Sequence, residues 1–124
     1  MSQKKILIVD DEHDIAETIK LSLEIEGYQC LVSHDGYDAI EKVHKEMPNL
    51  IILDIRLPKK NGYQVSRLLK FDERYRNIPI IMLTARAQQS DKEIGKSTGA
   101  DEYLTKPFDM NVLVGHVNRY LGKN

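Results

Sequence analysis

Short apolar runs alternate with amphipathic segments along the whole chain. Five of these runs are predicted to be β-strands: Lys4–Val9, Tyr28–Ser33, Leu50–Leu53, Ile80–Leu83 and Glu102–Thr105. The apolar residues of the intervening segments recur at the spacing of an amphipathic α-helix. Strands that alternate with helices predict βαβ units and a parallel sheet, and uniformly apolar central strands are typical of a sheet covered on both faces. The pattern therefore predicts a doubly wound, three-layer α/β fold.

Five helices, α1 to α5, are predicted from these apolar stripes and from the residues that end them. Their spans or stripes are Asp14–Glu26, Ala39–Met47, Val65–Leu69, Ser90–Thr98 and Leu113–Leu121. Gly27 and Gly99 follow α1 and α4 as C-caps do, and Asp35-Gly36 has the composition of a turn. The chain shows no internal repeat, low-complexity tract or linker, so residues 1–124 are predicted to form one domain.

Composition limits the classes of protein that fit this pattern. Of the 124 residues, 41% are hydrophobic and 30% are charged, as in globular domains rather than in disordered or membrane-spanning chains. The longest apolar runs, such as Ile6–Val9, hold four residues, whereas a membrane-spanning helix needs roughly 20. The first residues also lack the features of a secretory signal. We therefore expect a cytoplasmic protein with no membrane partner.

Charge and metal-ligand patterns exclude two further classes. The 18 Lys and Arg residues against 19 Asp and Glu residues give a formal net charge of −1 and a pI of about 6.4, which argues against direct nucleic-acid binding. Cys30 is the only cysteine and the histidines form no HxxxH or HExxH pattern, so neither a disulfide nor a zinc site is predicted. His34, His44 and His116 are expected at the surface, and His13 is a candidate for the rim of a site.

Polar residues able to do chemistry stand at the carboxyl ends of the predicted strands. They are Asp10, Asp11 and Glu12 after the first strand, Asp54 after the third, Thr84 after the fourth and Lys106 after the fifth. The functional crevice of an open α/β sheet lies beyond the carboxyl ends of its strands. If the first and third strands are neighbours, several carboxylates and one ammonium group converge on a single pocket.

Such a set of side chains suits phosphoryl transfer to an aspartate. Clustered carboxylates raise one another's pKa unless a cation neutralises them, and Mg²⁺ prefers carboxylate, water and phosphoryl oxygens as ligands. An aspartate can act as a nucleophile and become an aspartyl phosphate. Mg²⁺ and a lysine can neutralise the charge of the transferring group, and a threonine hydroxyl can donate a hydrogen bond to it.

Four motifs in this sequence resemble those of the receiver domain of bacterial two-component response regulators. They are ILIVDDE at 6–12, LDIRLPKKNG at 53–62, IIMLTAR at 80–86 and GADEYLTKPF at 99–108. Their order and spacing match the family over essentially the whole chain, so residues 1–124 resemble one receiver domain. The resemblance implies a flavodoxin-like (βα)5 sandwich whose parallel five-stranded sheet has the order 2-1-3-4-5.

The resemblance also implies a phosphorylation site and a metal site. Asp54 matches the phosphoacceptor, and Asp10 and Asp11 match the acidic pair that holds Mg²⁺, with Mn²⁺ as an alternative ion. Asp11 is expected to contact the metal directly and Asp10 through water. Asp54 itself and the backbone carbonyl of Arg56 complete the implied set of protein ligands.

Four further residues carry roles implied by the resemblance. Thr84 and Lys106 match the hydroxyl and the ammonium group that bind the phosphoryl group. Thr84 and Tyr103 match the pair of switch residues, the tyrosine changing rotamer on phosphorylation. The peptide bond between Lys106 and Pro107 is expected to be cis, a form found in only about 5–6% of X-Pro bonds in folded proteins.

In function, the resemblance implies a phosphoacceptor in a two-component phosphorelay. A sensor histidine kinase or a histidine phosphotransfer protein would donate the phosphoryl group. The surface α4–β5–α5, in which β5 is the fifth predicted strand, Glu102–Thr105, would then bind a downstream protein effector. The chain would catalyse only its own phosphorylation and dephosphorylation, so it is not expected to be an enzyme with a separate substrate. The alternative is the N-terminal receiver of a longer response regulator that carries an output domain.

The last helix argues against the winged-helix transcription-factor subfamily of response regulators. Receivers of that subfamily are expected to dimerise through charged pairs that include an acid and an arginine where this chain has Val112 and His116. Asp101 and Glu102 are present on the strand side of this surface without the expected arginine. We therefore expect the chain to be a monomer or a weak homodimer and to use this surface for a different protein.

Two other classes fit the fold but conflict with particular residues. A haloacid-dehalogenase-type phosphatase is expected to carry Asp-x-Asp at its nucleophile, and here the triplet is Asp54-Ile55-Arg56. A flavodoxin-like redox carrier needs a phosphate loop rich in Ser, Thr or Gly after the first strand. The acidic run 10–12 in that position would repel a phosphate group.

Overall fold

The structure is a computed structural model that describes residues 3–84 and 99–123. Its sheet has five parallel strands in the order β2-β1-β3-β4-β5, which confirms the expected flavodoxin-like topology. The strands are β1 Lys5–Val9, β2 Gln29–Ser33, β3 Leu50–Asp54, β4 Ile80–Thr84 and β5 Glu102–Thr105. The helices are α1 His13–Ile25, α2 Gly36–Glu46, α3 Gly62–Lys70 and α5 Met110–Tyr120. The predicted α4, Ser90–Thr98, lies outside the described residues.

Apolar layers cover both faces of the sheet. Side chains alternate between the faces of a strand, so Ile6 and Ile8 of β1 pack with α1 and α5. Leu7 and Val9 pack on the opposite face with α2 and α3. Every residue of β3 is buried because this strand lies between β1 and β4. Full burial of one Ile or Leu side chain stabilises the fold by about 1.5–3 kcal/mol, so these strands hold their polar ends in fixed positions.

Local sequence signals determine where the helices begin and end. The Asp35 carboxylate caps α2 by accepting a hydrogen bond from the backbone of its first turn. Asn61 and Gln64 form a reciprocal capping box at the start of α3. After α1, Gly27 has a φ of +98°, a left-handed conformation that glycine adopts without steric cost. The predicted turn at Asp35 is thus a helix N-cap.

The described helices are shorter than the thickness of the hydrocarbon core of a membrane. The longest described helix, α1, has 13 residues, whereas a span needs roughly 20. Within residues 3–84 and 99–123, no helix is long and apolar enough to cross a bilayer.

Candidate functional site

The carboxyl ends of three strands bring a lysine between two aspartates. Asp10 directly follows β1, Asp54 is the last residue of β3, and Lys106 directly follows β5. Lys106 Nζ lies 2.9 Å from Asp54 Oδ2 and 3.1 Å from Asp10 Oδ2. Since β1 and β3 pair in parallel, both strands deliver their polar ends to the same edge of the sheet.

Glu12 joins the two aspartates. The carboxylate oxygens of Asp10, Glu12 and Asp54 come within 4.8 Å of one another. Glu12 Oε1 also lies 3.5 Å from Lys106 Nζ, and the Glu12 amide donates a 2.9 Å hydrogen bond to Asp10 Oδ1. Glu12 is one of the polar residues that the sequence places at this edge of the sheet, but the resemblance gives it no role as a ligand. The signal that points to it is its place in the acidic run that separates β1 from α1.

In each aspartate, one carboxylate oxygen contacts Lys106 and the other accepts a hydrogen bond from a backbone amide. Asp10 is fully buried and Asp54 is 5% exposed. Asp54 Oδ1 accepts a 3.1 Å hydrogen bond from the Arg56 amide, and the Glu12 amide does the same for Asp10. Each carboxylate therefore bonds to the backbone with one oxygen and presents the other to Lys106.

Burial and neighbouring charges shift the pKa of both partners of this ion pair. Burial raises the pKa of Asp54 from its usual 3.8 to about 6, although the Lys106 ammonium and the Arg56 amide lower it. Burial lowers the pKa of Lys106, but the Asp54 and Asp10 carboxylates outweigh this effect and the net pKa is raised. Lys106 is therefore charged at neutral pH. Ionisation of Asp54 at that pH lowers the stability of the folded chain, because its pKa is higher in the folded state than in the unfolded state.

The donor set fits a hard divalent cation. The three grouped side chains offer only carboxylate oxygens, which Mg²⁺ prefers, and a cation would offset the repulsion between them. Asp11 is exposed and lines the same pocket as Glu12 and Asp54. Glu12 is thus a further candidate ligand. The assignment of Asp10, Asp11 and the Arg56 carbonyl as ligands stays a prediction.

Thr84 ends β4 beside the same crevice. Its carbonyl oxygen accepts a 2.7 Å hydrogen bond from the Lys106 amide, and its side chain is fully buried. Among the described residues, Thr84 Oγ1 has no hydrogen-bond partner. A buried hydroxyl without a partner costs free energy, so this atom is suited to donating to an oxygen that enters the crevice.

Tyr103 and Pro107 lie on and directly beyond β5. Tyr103 is half-buried, pairs with Met82 across the sheet and packs on the side covered by α2 and α3. Burial, followed by the charge of Asp101, raises the pKa of its phenol. The Lys106–Pro107 peptide bond is cis in the structure. The role of Tyr103 as a switch stays a prediction.

Close backbone contacts hold the β3–α3 connection, residues 55–61, against the site. The Gly62 amide donates a 2.9 Å hydrogen bond to the Ile55 carbonyl. A Cβ atom on Gly62 would lie 2.1 Å from the Asp54 carbonyl oxygen, and one on Gly36 would lie 1.9 Å from that of Lys60. Only glycine fits at these two positions, which therefore fix the loop that follows Asp54.

A pocket of about 860 Å³ opens onto Asp54. Carboxylates and Lys106 line part of it. Apolar groups line another part, namely Ile15 of α1, Phe108 of the β5–α5 connection and Met110 of α5. Arg56 lines both this pocket and a smaller one of about 460 Å³ beside the β3–α3 connection. Arg56 thus borders both openings beside Asp54.

Two histidines stack beside Asp10. The rings of His13 and His34 lie 3.7 Å apart, centroid to centroid, at an interplanar angle of 14°. His34 Nδ1 donates a 2.8 Å hydrogen bond to the Asp10 carbonyl oxygen. His34, which was expected at the surface, is half-buried, because this contact draws it against the end of β1.

Comparison with known proteins agrees with this geometry. The model of the response regulator receiver domain matches residues 6–118. The receiver domain of a signal transduction histidine kinase from Syntrophus aciditrophicus is 38% identical, with a TM-score of 0.91, over 96% of this chain and 90% of that one. A chemotaxis response regulator of Vibrio cholerae is 30% identical, with a TM-score of 0.88, over 96% of this chain and 99% of that one.

A third solved structure contains the metal. The receiver domain of a sensor histidine kinase from Pseudomonas aeruginosa PAO1 is 33% identical, with a TM-score of 0.85, over 98% of this chain and 100% of that one. Its structure has a magnesium ion coordinated in the active site cleft. The present chain belongs to the response regulator receiver domain family. Members of this family serve two-component signalling, in which they interact with histidine kinases and downstream effectors.

Proposed function

We propose that this chain is a phosphorylation switch that accepts a phosphoryl group on Asp54. The donor is a sensor histidine kinase or a histidine phosphotransfer protein, and the reaction uses Mg²⁺, or Mn²⁺ in its place, at the acidic cluster. The contact between Lys106 Nζ and buried Asp54, 2.9 Å long, is the observation that carries this proposal. The chain catalyses its own phosphorylation and dephosphorylation and has no separate substrate.

The transfer forms an O–P bond at Asp54 and breaks the N–P bond of a phosphohistidine. A carboxylate oxygen of Asp54 supplies the electron pair to phosphorus. The imidazole nitrogen keeps the electron pair of the broken bond, and the ring leaves neutral when its other nitrogen carries a proton. Bound Mg²⁺ supplies positive charge to the phosphoryl oxygens. Lys106 supplies a second positive charge, and Thr84 Oγ1 donates a hydrogen bond.

The pocket beside Asp54 supports a protein as the phosphodonor. Its volume of about 860 Å³ leaves room for an imidazole ring. Ile15, Phe108 and Met110 give part of this pocket an apolar lining. Covering such a lining stabilises a complex by about 25 cal/mol for each Å² of apolar surface, which a small-molecule donor would use only in part.

The output surface that we propose is α4–β5–α5, of which the structure describes β5 and α5. Val112 on α5 is 46% exposed, and Tyr103 on β5 is half-buried. Tyr103 lies three residues before Lys106 on the same strand end, so a change at the phosphoryl group reaches it through a short backbone segment. A protein effector would read the resulting difference in the position of the tyrosine.

Phosphorylation by acetyl phosphate, followed by intact-mass spectrometry, tests the site. With Mg²⁺ the native chain should gain one phosphoryl group, and chelation of the metal should abolish the gain. The Asp54→Asn variant should gain none. Asp14→Asn, which changes an exposed carboxylate lining the same pocket, is the matched control and should react like the native chain. Equal phosphate uptake by Asp54→Asn would show that the acceptor is another residue.

A further inference from the structure

The outer side of α3, the end of the connection before it and the turn that follows it form a second concavity. We call it the α3 groove; its volume is about 900 Å³ and its lining includes Lys60, Gln64, Arg67, Leu68, Phe71 and Arg74. It shares no lining residue with the pocket that opens onto Asp54. The phosphorylation chemistry therefore does not account for it.

Two large apolar side chains stand exposed in this groove. Leu68 is 51% exposed and Phe71 is 75% exposed. They lie three positions apart at the end of α3 and so share one side of the helix, whereas Val65 and Leu69 face the core. Single exposed apolar residues are ordinary, but two that line one concavity form a site where a partner's apolar side chains would be stabilised.

Two cationic residues, Lys60 and Arg67, line the groove together with these apolar side chains. The guanidinium carbon of Arg67 lies 5.9 Å from the centre of the Phe71 ring, and Lys60 Nζ lies 5.3 Å from that of the exposed Tyr37. Among the described residues, neither Lys60 nor Arg67 forms an ion pair.

The acidic side chains of the groove leave this positive charge in excess. Arg74 Nη2 lies 2.8 Å from Asp72 Oδ2, so these two charges neutralise each other. Within the part of the chain that the structure describes, Glu73 is the other acidic residue of the lining, and it faces two cations that form no ion pair there, Lys60 and Arg67. The groove thus has a positive rim in a chain whose net charge is −1.

We propose that the α3 groove binds an acidic amphipathic segment of a partner protein. Apolar side chains of the segment contact Leu68 and Phe71, and its carboxylates lie near Lys60 and Arg67. This arrangement is that of a helix or extended peptide held by apolar anchors and a charged rim. The complementary charge also speeds the encounter between the two proteins.

Other occupants fit the groove less well. Symmetric pairing of two grooves would bring Arg67 of one copy towards the same region of its partner, and like charges at such an interface are unfavourable. A nucleic acid would meet the carboxylates of Asp72 and Glu73 in the lining and a chain with a pI of about 6.4. A peptide meets the same carboxylates, but it carries acidic side chains only at some positions and can place them beside Lys60 and Arg67, whereas a nucleic acid carries a phosphate at every nucleotide.

Selection from a displayed library of random peptides tests the proposal. The full chain is the bait, and the double variant Arg67→Glu/Phe71→Ala is the counter-selection. Both side chains are exposed, so the double variant should melt at nearly the native temperature. We expect the recovered peptides to combine Asp or Glu with Leu, Phe or Trp. Recovery of no peptide that prefers the native chain would overturn the proposal, as would basic or charge-neutral consensus peptides.

Synthetic versions of the recovered peptides then locate the binding site by fluorescence anisotropy. Arg67→Glu and Phe71→Ala should each raise the Kd about tenfold or more, the size of effect seen at interface anchors. The matched controls are Lys45→Glu on α2 and Leu21→Ala on α1, an exposed cation and an exposed leucine outside the groove. They should change the Kd less than about twofold.

Two outcomes of these measurements would contradict the proposal. One is equal weakening by the groove variants and by the controls, because it would place the peptide elsewhere on the chain. The other is a concentration-dependent dimer, detected by light scattering, that Arg67→Glu disrupts, because it would make a second copy of the chain the occupant.

Discussion

Replacing Asp54 by asparagine should stabilise the protein in the absence of divalent metal. The pKa of Asp54 is raised from 3.8 to about 6, chiefly by burial, and each pKa unit corresponds to about 1.4 kcal/mol. Ionised Asp54 therefore lowers the free energy of unfolding by up to about 3 kcal/mol above pH 7. An amide only partly reproduces the hydrogen bonding of the protonated acid, so we expect Asp54→Asn to gain about 1–3 kcal/mol.

The pH dependence of this gain follows from the direction of the pKa shift. A carboxyl group with a raised pKa in the folded state binds its proton more tightly there than in the unfolded state. Its contribution to stability is present below about pH 4 and is lost as the pH rises through about 6. The stability difference between Asp54→Asn and the native chain should thus be near zero at pH 4 and largest above pH 7.

Urea denaturation followed by circular dichroism, at intervals from pH 4 to 8 with a chelator present, measures this difference. Asp14→Asn is the matched control, since it removes an exposed carboxylate from the first turn of α1 and should give no gain. Adding Mg²⁺ should stabilise the native chain by mass action and stabilise Asp54→Asn less. If Asp54→Asn were less stable than the native chain at pH 8, or its gain did not vary with pH, our account of the buried carboxylate would be refuted.

Three further changes test other parts of the site. Gly62→Ala should lower the free energy of unfolding by roughly 2–4 kcal/mol, since its Cβ would lie 2.1 Å from the Asp54 carbonyl oxygen. Thermal melting measures this loss. The control is Gly115→Ala on α5, where a Cβ atom has no neighbour within 4 Å, and it should be neutral or stabilising. Lys106→Met should lose stability more at pH 8 than at pH 5, because it leaves carboxylates unpaired; equal losses in urea denaturation would contradict this. Arg56 borders both openings beside Asp54, where a guanidinium group would limit the access of water to the acyl phosphate. Arg56→Ala should therefore change the half-life of the phosphorylated chain, and an unchanged half-life in a phosphate-release assay would contradict this shielding role.

The sheet and its polar ends could be predicted from the sequence because an uninterrupted apolar run has few positions in a fold where it can be buried. The run 50–53 is apolar without interruption, and the structure buries every residue of β3. Strands of this kind fit only the middle of a sheet covered on both faces. Once β3 neighbours β1, Asp54 and Asp10 must meet at one edge, and the four motifs at 6–108 supplied that strand order through the resemblance.

Contacts that depend on side-chain rotamers and loop paths were beyond the sequence. Whether Glu12 reaches Lys106 depends on how the chain leaves β1 and enters α1, which no local pattern specifies. His34 directly follows β2 and His13 begins α1, and their stacking depends on the rotamers of the two rings, which the sequence does not specify. The α3 groove could not be predicted either, because the sequence shows Leu68 and Phe71 but not the path of the chain that forms a concavity beside them.

The acids on β5 show how the structure changes the meaning of a sequence pattern. Asp101 and Glu102 stand in the sequence as charges available to a symmetric dimer. In the structure, Asp101 Oδ2 lies 2.7 Å from Lys70 Nζ and accepts a 2.8 Å hydrogen bond from the Ile80 amide. Glu102 Oε1 lies 2.5 Å from Arg119 Nη2.

Both acids are thus bonded within their own chain. A dimer built on them would first have to break the Lys70 contact, whose lysine side chain is only 12% exposed, and uncovering such a group carries a desolvation cost on both sides. The exposed Arg119 pair is weaker, but it still competes with any arginine from a second copy. The charges on this face of the protein therefore favour a partner whose contacts are apolar, with Val112 as the exposed apolar side chain of α5.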